Sequence, residues 1–135
     1  MSAALRLLIA QLAIVLPLAV VTWLAVAYSL YWHYRWLDIP MHFFGGMWAA
    51  LCGAWILAQR GQDFSIFWCF LFALLVGVGW EILEYSEGIA IFDYMDTFTY
   101  QIDMAKDLSG DLLGATVGWM LARHLVRNAR SRAML

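Results

Sequence analysis

The chain has 135 residues, 64% of them hydrophobic and 13% charged, with a mean hydropathy of +0.74 and a formal net charge of -2. A water-soluble domain of this length cannot bury that much apolar surface, so lipid must cover part of it. Nothing in the charge balance suggests a nucleic-acid partner, and the length suits one integral membrane domain over residues 1–135.

From Leu7 to Tyr34 no residue other than His33 can carry charge near neutral pH, which exceeds the ~20 residues that a spanning helix needs. The first span is expected over Leu7–Tyr31, with Pro17 as an internal kink of the kind membranes tolerate. A secretory signal is the competing reading, because Arg6 precedes the run and Ala25-Val26-Ala27 resembles a cleavage site. The apolar stretch is far longer than the ~7–15 residues of such signals, so a retained span is expected. The second span is Ile39–Gln59, between Asp38 and Arg60, and the third is Phe64–Tyr85. The fourth is weaker: only Leu112–Ala122 is uncharged, but Asp107–Val126 gives ~30 Å of helix if Asp107 and Asp111 sit near its end. Between the third and fourth spans, Ser86–Lys106 carries Phe92, Tyr94, Phe98 and Tyr100 among acids, as a segment lying on the membrane interface would. The expected fold is therefore all-α, about four transmembrane helices in a compact bundle plus that interfacial segment.

The charges are strongly sorted. In a four-span serpentine, Arg6, Arg60, Arg123, Arg127, Arg130 and Arg132 fall at one end, against only Arg35 and Lys106 at the other. The positive-inside rule then puts both termini in the cytoplasm of a multi-pass protein. Nine of the ten acids lie at the opposite end, Asp63 being the exception, and they arrive there from three separate stretches.

Helical rise relates their depths. His42 lies ~6 Å along its helix from Asp38, Glu81 ~4.5 Å from Glu84, and Asp111 ~6 Å from Asp107. His42, Glu81 and Asp111 thus reach a similar level from three helices. Asp38/His42, Glu81/Glu84 and Asp103/Asp107/Asp111 each share one helix face. A charge facing lipid at that depth costs several kcal/mol, so these faces should turn inward and find partners. So many carboxylates cannot all ionise without a counter-charge. Either some are protonated, in a hydrogen-bonded plug that holds the helices together, or a divalent cation sits among His42, Glu81, Glu84, Asp107 and Asp111, with Asp38 and Asp103 as further candidate ligands. Carboxylates with one His and no Cys suit Mg²⁺, Mn²⁺, Zn²⁺ or Fe²⁺ rather than Cu(I). The spacing matches no zinc or di-iron signature.

Gly110, Gly114 and Gly118, with Ala122 next in step, form a small-residue ridge that lets another backbone approach. Gly45, Gly46, Gly77 and Gly79 offer similar contact points, and Trp32 and Trp36 read as rim anchors. His33 reads as an interfacial polar residue and His124 as a stabiliser of a helix end. Cys52 and Cys69, both within apolar runs, read as buried small hydrophobes without a disulfide.

Asp38-Ile39-Pro40-Met41-His42-Phe43 resembles the Asp-Lys-x-x-His-Phe opening of the VanZ-like membrane proteins, and Glu81-Ile82-Leu83-Glu84 stands where that family has Glu-x-x-Gln. The run from Asp107 to Gly118 is similar to its closing Asp-x-x-x-Asn-x-x-Gly-Ala-x-x-Gly. The Gly-Gly after His42 and the second Glu look more like the uncharacterised YjdF-type inner-membrane proteins. Ile39 stands in place of the family's Lys and Asp111 in place of its Asn, and the Arg ahead of the last motif has no clear counterpart. A more acidic site with fewer cations strengthens the case for a metal. The resemblance implies a bacterial inner-membrane protein of the cell envelope, in a family linked to glycopeptide (teicoplanin) resistance without a settled chemistry.

Two functions stay open. In one, an enzyme uses the metal to polarise a phosphoryl oxygen or activate water on a lipid-linked substrate such as a polyprenyl phosphate. Against it, the chain lacks an obvious nucleophile and has few cations to bind phosphate. In the other, a non-catalytic protein binds a membrane lipid, ion or partner and the acidic cluster is structural. Transport is a third class, and would need oligomerisation; composition does not set the oligomeric state.

Overall fold

The apolar N-terminal run folds as α1, Ala3–Ala27, started by Ser2, whose hydroxyl accepts the Leu5 N–H at 3.3 Å. The helix continues through Pro17 and ends at Tyr28, followed by Ser29 in a left-handed conformation (φ 53°). That break shifts the first span from the expected Leu7–Tyr31 to Ala3–Ala27. A short helix α2, Leu30–His33, and a 3₁₀ turn, Arg35–Leu37, lead into α3, Asp38–Gln59. Asp38 lies in the first turn of α3, where a carboxylate suits the helix dipole, and Pro40 lies there too, where a missing N–H costs nothing. At the other end Gly61 takes a positive φ of 67°; its N–H bonds Ala58 O and the Gln62 N–H bonds Leu57 O, closing α3 by a Schellman motif.

The computed structural model describes residues 2–87 and 96–133. Helix α4 spans Ile66–Glu87 and helix α5 spans Thr97–Ala133. Asp96 caps α5 by accepting the Thr99 N–H at 2.8 Å, and that bond holds its carboxyl below the usual range. Helices α3 and α4 cover the second and third hydrophobic runs. The stretch expected at the interface divides differently: Phe92 and Tyr94 lie outside the described residues, whereas Phe98 and Tyr100 belong to the opening turns of α5.

Among the described residues three helical segments are long and apolar enough to cross a membrane, Ala3–Ala27, Arg35–Gln59 and Ile66–Glu87. Helix α5 is long enough, but its acids and basic C-terminal half keep it from matching their hydropathy. Helix α3 is the centre of the bundle, packing most extensively on α5 and also on α4 and α1. The interior is built from small side chains, with Ala49, Ala50, Cys69, Ala73 and Ala115 in one cluster and Leu7, Leu51, Ala54 and Ala122 in a second. Bulky apolar residues such as Leu16, Trp23, Leu75, Ile82 and Leu113 point outward. Small residues inside and large ones outside is the arrangement expected where lipid, not water, covers the surface. Cys69 is buried as expected, while Cys52 is half-buried; both are free thiols.

The glycine ridge of α5 faces α3. A Cβ on Gly114 would collide with the Phe43 carbonyl, and one on Gly118 would stand 2.6 Å from the Met47 carbonyl oxygen. These close approaches put α5 nearly backbone to backbone against α3. The two ends of the bundle differ in charge. The start of α1, the α3–α4 loop and the late turns of α5 meet around a cleft bearing Ala3, Ala58, Asp63, Arg123 and Arg127. At the opposite end the start of α3, the end of α4 and the early turns of α5 converge.

Candidate metal centre

Each of the three converging helices contributes one acidic face. The first turns of α3 supply Asp38 and His42, α4 supplies Glu81 and Glu84, and α5 supplies Asp107 and Asp111. His42 is the hub. Its Nδ1 lies 3.3 Å from Asp111 Oδ2, and its Nε2 lies 3.6 Å from Asp38 Oδ1 and 3.8 Å from Glu81 Oε1. His42, Glu81, Glu84, Asp107 and Asp111 are all more than nine-tenths buried, so water cannot screen the charges they bring together.

The tight packing that seats Asp111 comes from glycine. A Cβ on Gly46 would overlap the Asp111 backbone, and one on Gly77 would overlap its carboxylate. Asp111 is therefore pressed between α3 and α4, with its carboxylate 3.3 Å from His42 Nδ1. At Gly45 and Gly79 a Cβ would fit, so these two, unlike Gly46 and Gly77, are not forced by the packing.

Some of the charge is already answered. Trp80 Nε1 donates to Glu84 Oε1 at 2.8 Å, and Lys106 bridges Asp103 and Asp107. Partial burial works against the Lys106 ammonium, but the hydrogen bond to Asp103 and the charge of Asp107 outweigh it and hold its pKa above the usual lysine value. Three atoms of the cluster still lack a hydrogen bond, although the Lys106 ammonium lies 3.7 Å from Asp107 Oδ1. His42 Nε2, Glu81 Oε1 and Asp107 Oδ1 are buried without a hydrogen-bond partner among the described residues. If the Nδ1–H donates to Asp111, as a neutral ring in this position would, Nε2 turns its lone pair toward two carboxylates. Such an arrangement is repulsive unless a cation or a proton stands between them.

Two donor sets have the geometry to hold a metal ion: Asp38, His42 and Asp107, and His42, Glu81 and Glu84, the atoms of each set lying within 4.8 Å of one another. They share His42. The residues expected from sequence thus divide into distinct positions. His42, Glu81, Glu84, Asp107 and Asp38 are the residues whose donor atoms lie close enough together that they could hold an ion. Asp111 stands on the other ring nitrogen, where a carboxylate orients a ligating His and raises its basicity. Asp103 belongs to neither set and holds Lys106 instead. Sequence reasoning missed Trp80, although its spacing of one helical turn from Glu84 is readable, and it missed Tyr31, buried near the start of α3. His124, expected at a helix end, instead pairs with Asn128 within α5.

A bundle with lipid-facing bulk outside and a buried acidic cluster inside one end defines a helical membrane protein. Comparison with known families agrees: the chain belongs to the family described as Predicted membrane protein (DUF2238), whose model matches residues 1–128. That match supports membership of a membrane-protein family without extending to the VanZ-like or YjdF-type resemblance. No curated protein and no solved structure matches the chain.

Proposed function

We propose that this protein is a four-span bacterial inner-membrane protein of the cell envelope, with a divalent-metal site set just below the outer surface. The observation that carries the reading is the convergence of carboxylates from three helices, Asp38, Glu81 and Asp107, on His42, whose Nε2 is buried without a hydrogen-bond partner among the described residues. Asp38, His42, Asp107, Glu81 and Glu84 would hold the ion and Asp111 would orient His42. The all-oxygen and single-imidazole donor set suits Mg²⁺, Mn²⁺, Zn²⁺ or Fe²⁺. A bound ion of this kind supplies Lewis-acid polarisation of a phosphoryl or carbonyl oxygen, and an unused carboxylate beside it is placed to accept a proton. A head group at the membrane surface is within reach of such a site, which favours a lipid-linked substrate.

The fourth span is Asp107–Val126 of α5, with the turns from Thr97 to Lys106 rising to the interface. The arginine end faces the cytoplasm and carries both termini. The likeness of the Asp38–Phe43 and Asp107–Gly118 runs to VanZ-like motifs supports an envelope role. For topology, Phe98→Cys in a background lacking Cys52 and Cys69 should react with a membrane-impermeant thiol reagent added to intact cells. Protection from that reagent, with labelling only after lysis, would reverse the orientation.

A second reading has its own support. The His42–Asp111 and Trp80–Glu84 hydrogen bonds and the Lys106 bridge would also serve a structural plug, with a protonated His42 as the internal cation. Glu81→Gln separates the two. Under the metal reading, Mn²⁺ raises the melting temperature of the wild type, and the variant folds but loses that rise. A plug of protonated groups accepts Gln with little change and shows no Mn²⁺ response in either protein.

A further inference from the structure

Helix α1 packs on α3 and α5 but barely touches α4. The gap between α1 and α4 is a half-open cleft of about 390 Å³, floored by α3 and by Asp111 of α5. That volume falls within the roughly 300–1,000 Å³ of small-ligand sites. Along α1 it runs from Val15 to Trp23, a rise of ~12 Å.

The lining is graded. Trp23, His42 and Trp80 stand toward the acidic end, because α1 approaches that end with its C-terminus, α3 starts there and Trp80 directly precedes Glu81. Val15 and Trp48 stand about two turns deeper along their helices and Val76 about one, toward the middle of the bundle. The strongly polar groups of the wall, His42 and Asp111, belong to the metal centre, and the rest of the wall is almost wholly apolar. An occupant must therefore be a hydrocarbon along most of its length and polar at one end. Its polar end must tolerate the metal centre, and its tail must point to the bilayer midplane, which is how a membrane amphiphile already lies.

We propose that the cleft between α1 and α4 holds the hydrocarbon chain of a single-chain amphiphile whose phosphate head group meets the metal centre at His42. The chain half follows from the cleft; the head-group half rests on the metal reading, since a phosphate placed against bare carboxylates would be repelled. A volume of about 390 Å³, near the small end of ligand sites, suits one chain. A diacyl phospholipid would leave its second chain outside.

The test uses the full chain in phosphatidylcholine nanodiscs, with melting temperature as readout. The probes are Mn²⁺, then farnesyl phosphate, farnesol or inorganic phosphate added in the presence of Mn²⁺. Farnesyl phosphate should give a further saturable rise that inorganic phosphate does not reproduce. Ala19→Trp fills the cleft from an exposed position on α1 and should abolish that further rise while keeping the rise from Mn²⁺. Leu18→Trp, on the same wall, serves if Ala19→Trp fails to fold. A Mn²⁺ rise with no response to farnesyl phosphate overturns the amphiphile proposal and leaves the metal reading standing. So does a farnesyl phosphate response that survives the cleft-filling variant, or one that inorganic phosphate matches. Farnesol acting as well as farnesyl phosphate overturns the head-group half. Absence of any Mn²⁺ rise overturns the metal reading and, with it, the proposal as stated.

Discussion

Gly114→Leu should prevent assembly of the bundle or lower its stability by at least about 3 kcal/mol, the upper part of the range for overpacked interiors. The Gly114 position faces the Phe43 carbonyl so closely that even a Cβ collides with it. A leucine there must push α5 away from α3, and that interface is the most extensive in the molecule. Separation of the two helices would also pull Asp107 and Asp111 from His42. The neighbouring Leu113→Ala is the control, because Leu113 is 64% exposed on the lipid-facing side and its truncation opens no cavity. Melts of the two variants in the same detergent should differ widely; equal melting temperatures would mean that the ridge does not carry the α3–α5 contact.

The second large effect concerns the ion. A ligand bound only to the folded state stabilises it by about 2.7 kcal/mol at a hundredfold excess over its dissociation constant. Removing a divalent ion from this centre also leaves buried like charges facing one another, so a chelator should lower the melting temperature markedly at neutral pH. Protons compete with a metal for carboxylates and imidazole, so the chelator should have less effect as pH falls. His42→Ala should be insensitive to chelator at every pH, since both donor sets use that residue. A wild-type protein whose melting temperature ignores both chelator and added divalent ions would instead fit the plug.

Much of this centre is legible in the sequence because helical periodicity is a local property. Asp38 with His42, Glu81 with Glu84, and Asp107 with Asp111 are each fixed on one face by spacing alone, and the cost of charge in lipid turns those faces inward. The glycine ridge is legible for the same reason. What spacing does not give is the partner. That Gly114 meets Phe43, that Gly77 yields room to Asp111 and not to some other side chain, and that Asp111 takes Nδ1 while Asp38 and Glu81 approach Nε2 depend on how three helices rotate and cross. Asp103 shares the row along α5, and spacing does not show that it pairs with Lys106 and stands outside both donor sets. Hydropathy runs on through Tyr28 and Ser29 and does not show that α1 stops at Ala27, ahead of a left-handed Ser29. Phe98 and Tyr100 among acids read as an interfacial segment, and that pattern does not show that the Asp96 cap starts α5 there.

The most direct measurement is the metal content of the protein itself, purified in detergent without added chelator, wild type beside His42→Ala. Elemental analysis by plasma mass spectrometry should find about one divalent ion per wild-type chain and a large loss in the variant, with both proteins folded, because His42 belongs to both sets of converging donors. Wild-type protein that carries no stoichiometric metal and takes up none from Mg²⁺, Mn²⁺, Zn²⁺ or Fe²⁺ would contradict the metal centre and leave the acidic cluster as a structural plug.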